Sequence, residues 1–122
     1  MVLVDTSVWI DHFRQGNDRL VDLLKNGWVL THELVIGELA CGSLPNRADT
    51  LANLLALPRV ANVPFEETLT AVDRHKLVSR GMGFVDICLL SAALVSPALL
   101  WSRDKKLAAT AETLGISFQE FN

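Results

Sequence analysis

Cysteine is scarce in this chain: only Cys41 and Cys88 occur among 122 residues. Neither belongs to a CxxC pair, and the three histidines, His12, His32 and His75, do not cluster with them. That excludes a zinc site built on thiolates and imidazoles. Both cysteines lie in apolar segments and are expected to be buried, reduced thiols. Basic charge is also in short supply, with 11 Lys and Arg against 14 Asp and Glu and a net charge of −3. A generic nucleic-acid coat protein would be basic overall, so that class is set aside. A protein that holds nucleic acid through metal ions at an acidic cleft is not. Long hydrophobic runs are missing too. The most apolar stretch, Ile87 to Trp101, is interrupted by Ser91, Ser96 and Pro97 and is too short to cross a bilayer. Asp5 comes too early for the apolar core of a signal peptide, so a cytoplasmic protein with no membrane association is expected. There is no repeat, low-complexity tract or linker, and the length fits a single domain over residues 1–122.

What is present alternates. Val2 to Val4 and "WVLTHE" predict short strands, "RVANV" a weak one, "ALLW" a buried one and "ISF" an edge strand. Helices are predicted from Ser7 to Arg14 and from an Asn17 or Asp18 cap to Asn26. Others follow from Glu33 to Cys41, from an Asn46 cap over Arg47 to Leu57, and from Phe65 to Arg80, stopped by Gly81. Phe84 to Val95 and Asp104 to Leu114 complete the set. Strands alternating with helices predict an α/β fold. The expected form is a three-layer α/β/α sandwich with a mostly parallel central sheet.

Four carboxylates stand out against that pattern. In open parallel sheets, sites form beyond the carboxyl ends of the strands. Asp5 directly follows the first strand, and Asp104 follows "ALLW" by two residues. Glu38 is the only charge between Leu34 and Ser43, and Asp86 the only one between Gly81 and Arg103. A lone carboxylate on an apolar helix is costly to bury unpaired. Each acid has an ordinary explanation as a helix cap or the partner of an arginine. Together they point to a site for a hard divalent cation, Mg²⁺ or Mn²⁺, which takes carboxylate oxygens and water.

The stretches "VLVDTSVWIDHFR", "VIGELACG", "GMGFVDICLLSAAL" and "LLWSRDKKLAATAETLGI" resemble the successive motifs of PIN-domain ribonucleases of the VapC type, the toxins of bacterial toxin–antitoxin pairs. The resemblance covers essentially the whole chain, in order. It implies a PIN domain in which Asp5, Glu38, Asp86 and Asp104 bind Mg²⁺ or Mn²⁺ and act in RNA hydrolysis, leaving a 5′-phosphate and a 3′-hydroxyl. It also implies helper groups among Thr6, Ser7 and Ser102, for which helix capping is the alternative, and a VapB-like antitoxin as partner. A homodimer is expected, with contacts around Leu34 to Ala40 and on the helix after Asn46. Some relatives carry a further acid shortly after the fourth, where this chain has Lys105 and Lys106. Arg14, Arg74, Lys76, Arg80, Arg103, Lys105 and Lys106 are candidates to hold RNA phosphates. The histidines are expected to be surface or structural groups. Two other readings stay open: a non-catalytic PIN-like module that binds RNA or protein, and a phosphoacceptor receiver domain. The receiver reading lacks the adjacent acidic pair expected after the first strand.

Overall fold

A computed structural model describes residues 1–120. Three short parallel strands, β1 (Val2–Val4), β2 (Val29–Leu30) and β3 (Leu99–Trp101), form a sheet in the order β2-β1-β3. Val2 pairs with both Val29 and Leu99 in register. Successive strand side chains point to opposite faces. All three residues of β1 are buried, so both faces of the sheet are covered. That is why "VLV" reads as a continuous apolar run rather than an alternation. Seven helices provide the cover: α1 (Thr6–Gln15), α2 (Asp18–Lys25), α3 (Glu33–Ala40), α4 (Arg47–Ala56), α5 (Phe65–Arg74), α6 (Phe84–Val95) and α7 (Lys105–Thr113). The result is an α/β sandwich.

Helix α6 is apolar on nearly every side because it runs through the core. Ile87, Leu89, Leu90, Ala92 and Ala93 are all buried. Full burial of a leucine such as Leu90 is worth roughly 1.5–3 kcal/mol. The start of α2 is set by Asn17, whose side chain accepts from the Leu20 N–H at 3.0 Å, and by Asp18 in the first turn. Because the strands are parallel, their carboxyl ends share one pole. Asp5, Thr31 and Ser102 leave the sheet there, and the Asp5 N–H donates to the Trp101 carbonyl at 2.9 Å.

Several expected features take a different form. "RVANV" makes only a single bridge, Thr31 to Arg59, because Pro58 and Pro64 bound the segment and cannot donate to a ladder. "ISF" likewise pairs at one residue, Leu100 to Ser117, through Leu100 N–H to the Ile116 carbonyl at 2.7 Å and Phe118 N–H to the Leu100 carbonyl at 3.0 Å. The long helix expected to reach Arg80 ends at Arg74. Lys76 takes a left-handed φ of 57° and donates to the Asp73 carbonyl. Leu77 then donates to the Val72 carbonyl at 2.8 Å and is buried. This is a Schellman ending whose left-handed residue is lysine instead of glycine, which hides the stop in the sequence. Asn46 precedes α4 as expected but adopts a left-handed conformation, with no side-chain cap bond. Neither cysteine is buried: Cys41 is exposed and Cys88 partly so. Cys41 is the residue after α3, past the buried Leu39 that anchors the last turn. No helix among the described residues is long and apolar enough to cross a membrane.

Candidate active site

Asp5 is the first residue beyond β1 and the N-cap of α1. It is 6% exposed, so its charge must be compensated locally. Ser7 Oγ donates to Asp5 Oδ2 at 2.6 Å and Ser102 Oγ donates to the same oxygen at 2.8 Å. A carboxylate oxygen only accepts, so each hydroxyl is the donor. Ser7 Oγ in turn accepts the Arg103 N–H at 2.9 Å, and Ser102 Oγ accepts the Asp104 N–H at 3.0 Å. The two hydroxyls lie 3.3 Å apart. Asp104 caps α7, with Oδ1 accepting the Leu107 N–H at 3.0 Å. Asp86, in the first turn of α6, accepts the Gly83 N–H on Oδ2 at 3.3 Å. Glu38, on α3, accepts Thr6 Oγ1 on Oε1 at 2.7 Å. The capping explanation is therefore correct for Asp5 and Asp104, yet it uses only one oxygen of each acid. Among the described residues, Asp5 Oδ1, Glu38 Oε2, Asp86 Oδ1 and Asp104 Oδ2 accept no hydrogen bond.

The four acids come from four elements, and Asp86 senses the charges of the other three. The Asp86 carboxyl is raised above the usual carboxylate range. Burial is the main cause; the Gly83 N–H opposes it, and the charges of Asp5, Asp104 and Glu38 add to it. Asp86 and Asp104 are held at the start of their own helices, whereas Glu38 is held by Thr6 of α1 and Asp5 partly by Ser102 beyond β3. Among the described residues, no three His, Cys, Asp or Glu side chains are grouped so as to hold a metal ion in this structure. The donor set is nonetheless all carboxylate and hydroxyl oxygen, with no imidazole or thiol. Its chemistry fits a hard divalent cation and not zinc.

Around the acids, the basic residues divide. Lys105 and Lys106 are exposed on the first turn of α7. Lys106 lies across the Gly81 turn, where a Cβ on residue 81 would meet its Nζ at 2.7 Å. Arg103, expected to face RNA, is instead held by the carboxylates of Asp11 and Glu120, chiefly Glu120, which raises its pKa further. What the sequence did not reveal is the ion pairing, because Asp11 and Glu120 are distant from Arg103 in the chain. His32 is structural, as expected. Its Nδ1 accepts the Leu34 N–H at 3.0 Å and caps α3, the helix that carries Glu38. Burial lowers its pKa and keeps that nitrogen free to accept. Beside Glu38 a cleft of about 330 Å³ opens between α1 and the turn after α3, lined by Ile10, Phe13, Arg14, Leu39 and Leu44.

Comparison with known proteins agrees with this architecture. The PIN domain family model matches residues 2–113. The curated protein named Ribonuclease VapC32, from Mycobacterium tuberculosis strains CDC 1551 / Oshkosh and ATCC 25618 / H37Rv, is 48% identical over 124 residues, covering 98% of each chain. The chain belongs to the PIN-domain family, as one of its VapC-type ribonucleases. In fold it is similar to PAE2754 from Pyrobaculum aerophilum, with a TM-score of 0.59 and 22% identity over 93% of this chain and 85% of that one.

Proposed function

We propose that this protein is a metal-dependent endoribonuclease, the toxin of a toxin–antitoxin pair, and that Asp5, Glu38, Asp86 and Asp104 are its catalytic and metal-binding residues. The observation that carries the reading is the shared geometry of the acids. Each is fixed through one oxygen and leaves the other without a hydrogen bond; Asp5 and Asp104 follow the ends of parallel strands, and the charges of Asp5, Asp104 and Glu38 reach Asp86. The 48% identity to a protein named as a VapC ribonuclease supports the substrate class.

A bound Mg²⁺ or Mn²⁺ would supply charge neutralisation at the phosphoryl oxygen and acidify a water for in-line attack. The chain's own residues do the positioning. Asp5, Asp86 and Asp104 would hold the cation through their unbonded oxygens, and Glu38 would complete the set or orient the attacking water. Thr6 fixes Glu38, while Ser7 and Ser102 fix Asp5. Lys105 and Lys106 sit at the rim, where they can contact RNA phosphates despite the net negative charge. The experiment is RNA cleavage by the purified protein in Mg²⁺, in Mn²⁺ and in EDTA. Cleavage that persists in EDTA overturns the reading.

An uncontrolled ribonuclease damages its own cell, so the reading includes a VapB-like partner. The cleft beside Glu38 is apolar along Ile10, Phe13 and Leu44, and it ends at a carboxylate. A partner segment laid there could place an Arg or Lys against the acids, a charge-assisted contact of the strong kind. Adding the partner is expected to suppress cleavage. Replacing its inserted cation with Ala should relieve suppression more than it weakens the complex. A complex that cuts as fast as the free toxin in saturating Mg²⁺ would rule out occlusion. The reading also includes a cytoplasmic homodimer, with contacts on α3 and α4. Light scattering at micromolar concentration should give twice the 13.4 kDa chain mass, and a monomer would remove the dimer.

A further inference from the structure

One residue next to the acids grips the opposite helix twice. The Arg103 N–H donates to Ser7 Oγ at 2.9 Å, while its guanidinium forks between Asp11 and Glu120. Ser7 and Asp11 are four residues apart on α1 and therefore share a face. The backbone and the side chain of Arg103 thus pin the turn Ser102–Asp104 along one side of that helix. Both anchors are themselves held: Gln15 Nε2 donates to Asp11 Oδ1 at 2.7 Å, and Asn17 Nδ2 donates to Glu120 at 3.3 Å. The Arg103 side chain is about one-third exposed, and those of Asp11 and Glu120 less so, which partly shields the fork. Downstream, the pinned turn sets the two hydroxyls. Ser7 Oγ accepts the Arg103 N–H and Ser102 Oγ the Asp104 N–H, and both hydroxyls donate to Asp5 Oδ2.

We propose that Arg103, clamped by Asp11 and Glu120, is a positioning residue. It holds the Ser102–Asp104 turn against α1 beside Asp5, so that the unbonded oxygens of Asp5 and Asp104 are available to a common cation. The inference rests on the reading that the four acids bind a divalent ion. It gives the segment around Glu120 a role in the site, although that segment contributes no acid to it. Arginine suits the task because its rigid planar fork presents several N–H donors to two carboxylates in a fixed geometry, whereas an ammonium is a point charge on a flexible stem.

The test is Mn²⁺ binding by titration calorimetry, with no RNA present, on wild type, Arg103→Ala, Arg103→Lys and the double variant Asp11→Asn/Glu120→Gln. Loss of groups that orient metal ligands commonly weakens affinity by about 10–100-fold. Arg103→Ala and the double variant are each expected to weaken Mn²⁺ binding at least tenfold, with circular dichroism unchanged, and Arg103→Lys should fall between. If Arg103→Ala does not fold, the double variant decides, since it leaves the arginine in place. Mn²⁺ affinity within twofold of wild type in a folded variant overturns the clamp. So does a raised KM for RNA with unchanged Mn²⁺ affinity, which would make Arg103 an RNA contact. Wild type that binds no Mn²⁺ removes the metal-centre reading itself, and the clamp with it. Wild type that binds while the variants also bind normally removes the clamp alone.

Discussion

Asp86→Asn is expected to lower the rate of metal-dependent RNA cleavage by roughly a thousandfold and, at the same time, to raise the melting temperature of the metal-free protein. The two effects have one origin. Asn has nearly the shape of Asp, and its side-chain oxygen can still accept the Gly83 N–H that Asp86 accepts in α6. What changes is charge. Metal-assisted stabilisation of a phosphoryl transition state is worth several kcal/mol, and each 1.36 kcal/mol is about tenfold in rate. Without cation, the same charge is a burden. Burial first, then Asp5, Asp104 and Glu38, push the folded-state pKa of Asp86 above its unfolded value. Ionised Asp86 therefore opposes folding at neutral pH. The opposition disappears as pH falls through that raised pKa, because the folded protein then takes up the proton more readily than the unfolded chain. The advantage of Asp86→Asn should be present above the folded-state pKa and fade below it. Activity assays and thermal scans from pH 4 to 8 check both halves, the pH range being roughly that over which a raised carboxyl titrates. A variant that melts lower at every pH would make Asp86 a structural cap and nothing more.

Mn²⁺ added to the wild type at about a hundred times its dissociation constant should raise the melting temperature by roughly 10 °C. A ligand that binds only the folded state adds about 2.7 kcal/mol at that excess. For a domain of this size, each kcal/mol moves the midpoint by roughly 3–5 °C. Repulsion among the acids adds to the contrast, since the cation replaces mutual destabilisation with attraction. The shift should shrink in Asp5→Asn and in Asp86→Asn, the two acids of the set in the most shielded positions. Leu90→Ala is the control. It destabilises the core without touching the acids and should shift upward with Mn²⁺ as far as wild type does. A melting temperature that stays constant across millimolar Mn²⁺ would count against a metal centre at this pole.

The parts of the fold that could be read in the sequence are those where local chemistry and tertiary packing ask for the same thing. "VLV" is buried on both faces, and the middle of α6, from Ile87 to Ala93, is buried nearly all round, so apolar runs locate β1 and α6 directly. Asn17 is both a good cap residue and the actual cap. The misreadings arise where a non-local contact decides. Lys76 turns left-handed so that Leu77 can enter the core, and no glycine marks the place. Cys41 lies in an apolar run but falls just past the last buried turn of α3. The candidate acids were legible because each is a lone charge in apolar surroundings or follows a strand. The bonds that orient them were not: Thr6 to Glu38 and Ser102 to Asp5 join residues 32 and 97 positions apart. Arg103 was read as a phosphate contact because its partners, Asp11 and Glu120, are distant in the chain.

The account stands most directly on the ends left in cleaved RNA. If Asp5, Glu38, Asp86 and Asp104 hold a cation that delivers water in line to the phosphorus, purified protein in Mg²⁺ should leave 5′-phosphate and 3′-hydroxyl ends. Those ends should be absent when EDTA is added or when Asp86→Asn replaces the wild type. Ends carrying a 2′,3′-cyclic phosphate and a 5′-hydroxyl, formed equally well in EDTA, would mean that the RNA's own 2′-hydroxyl attacks and that the four carboxylates are not the centre of the chemistry.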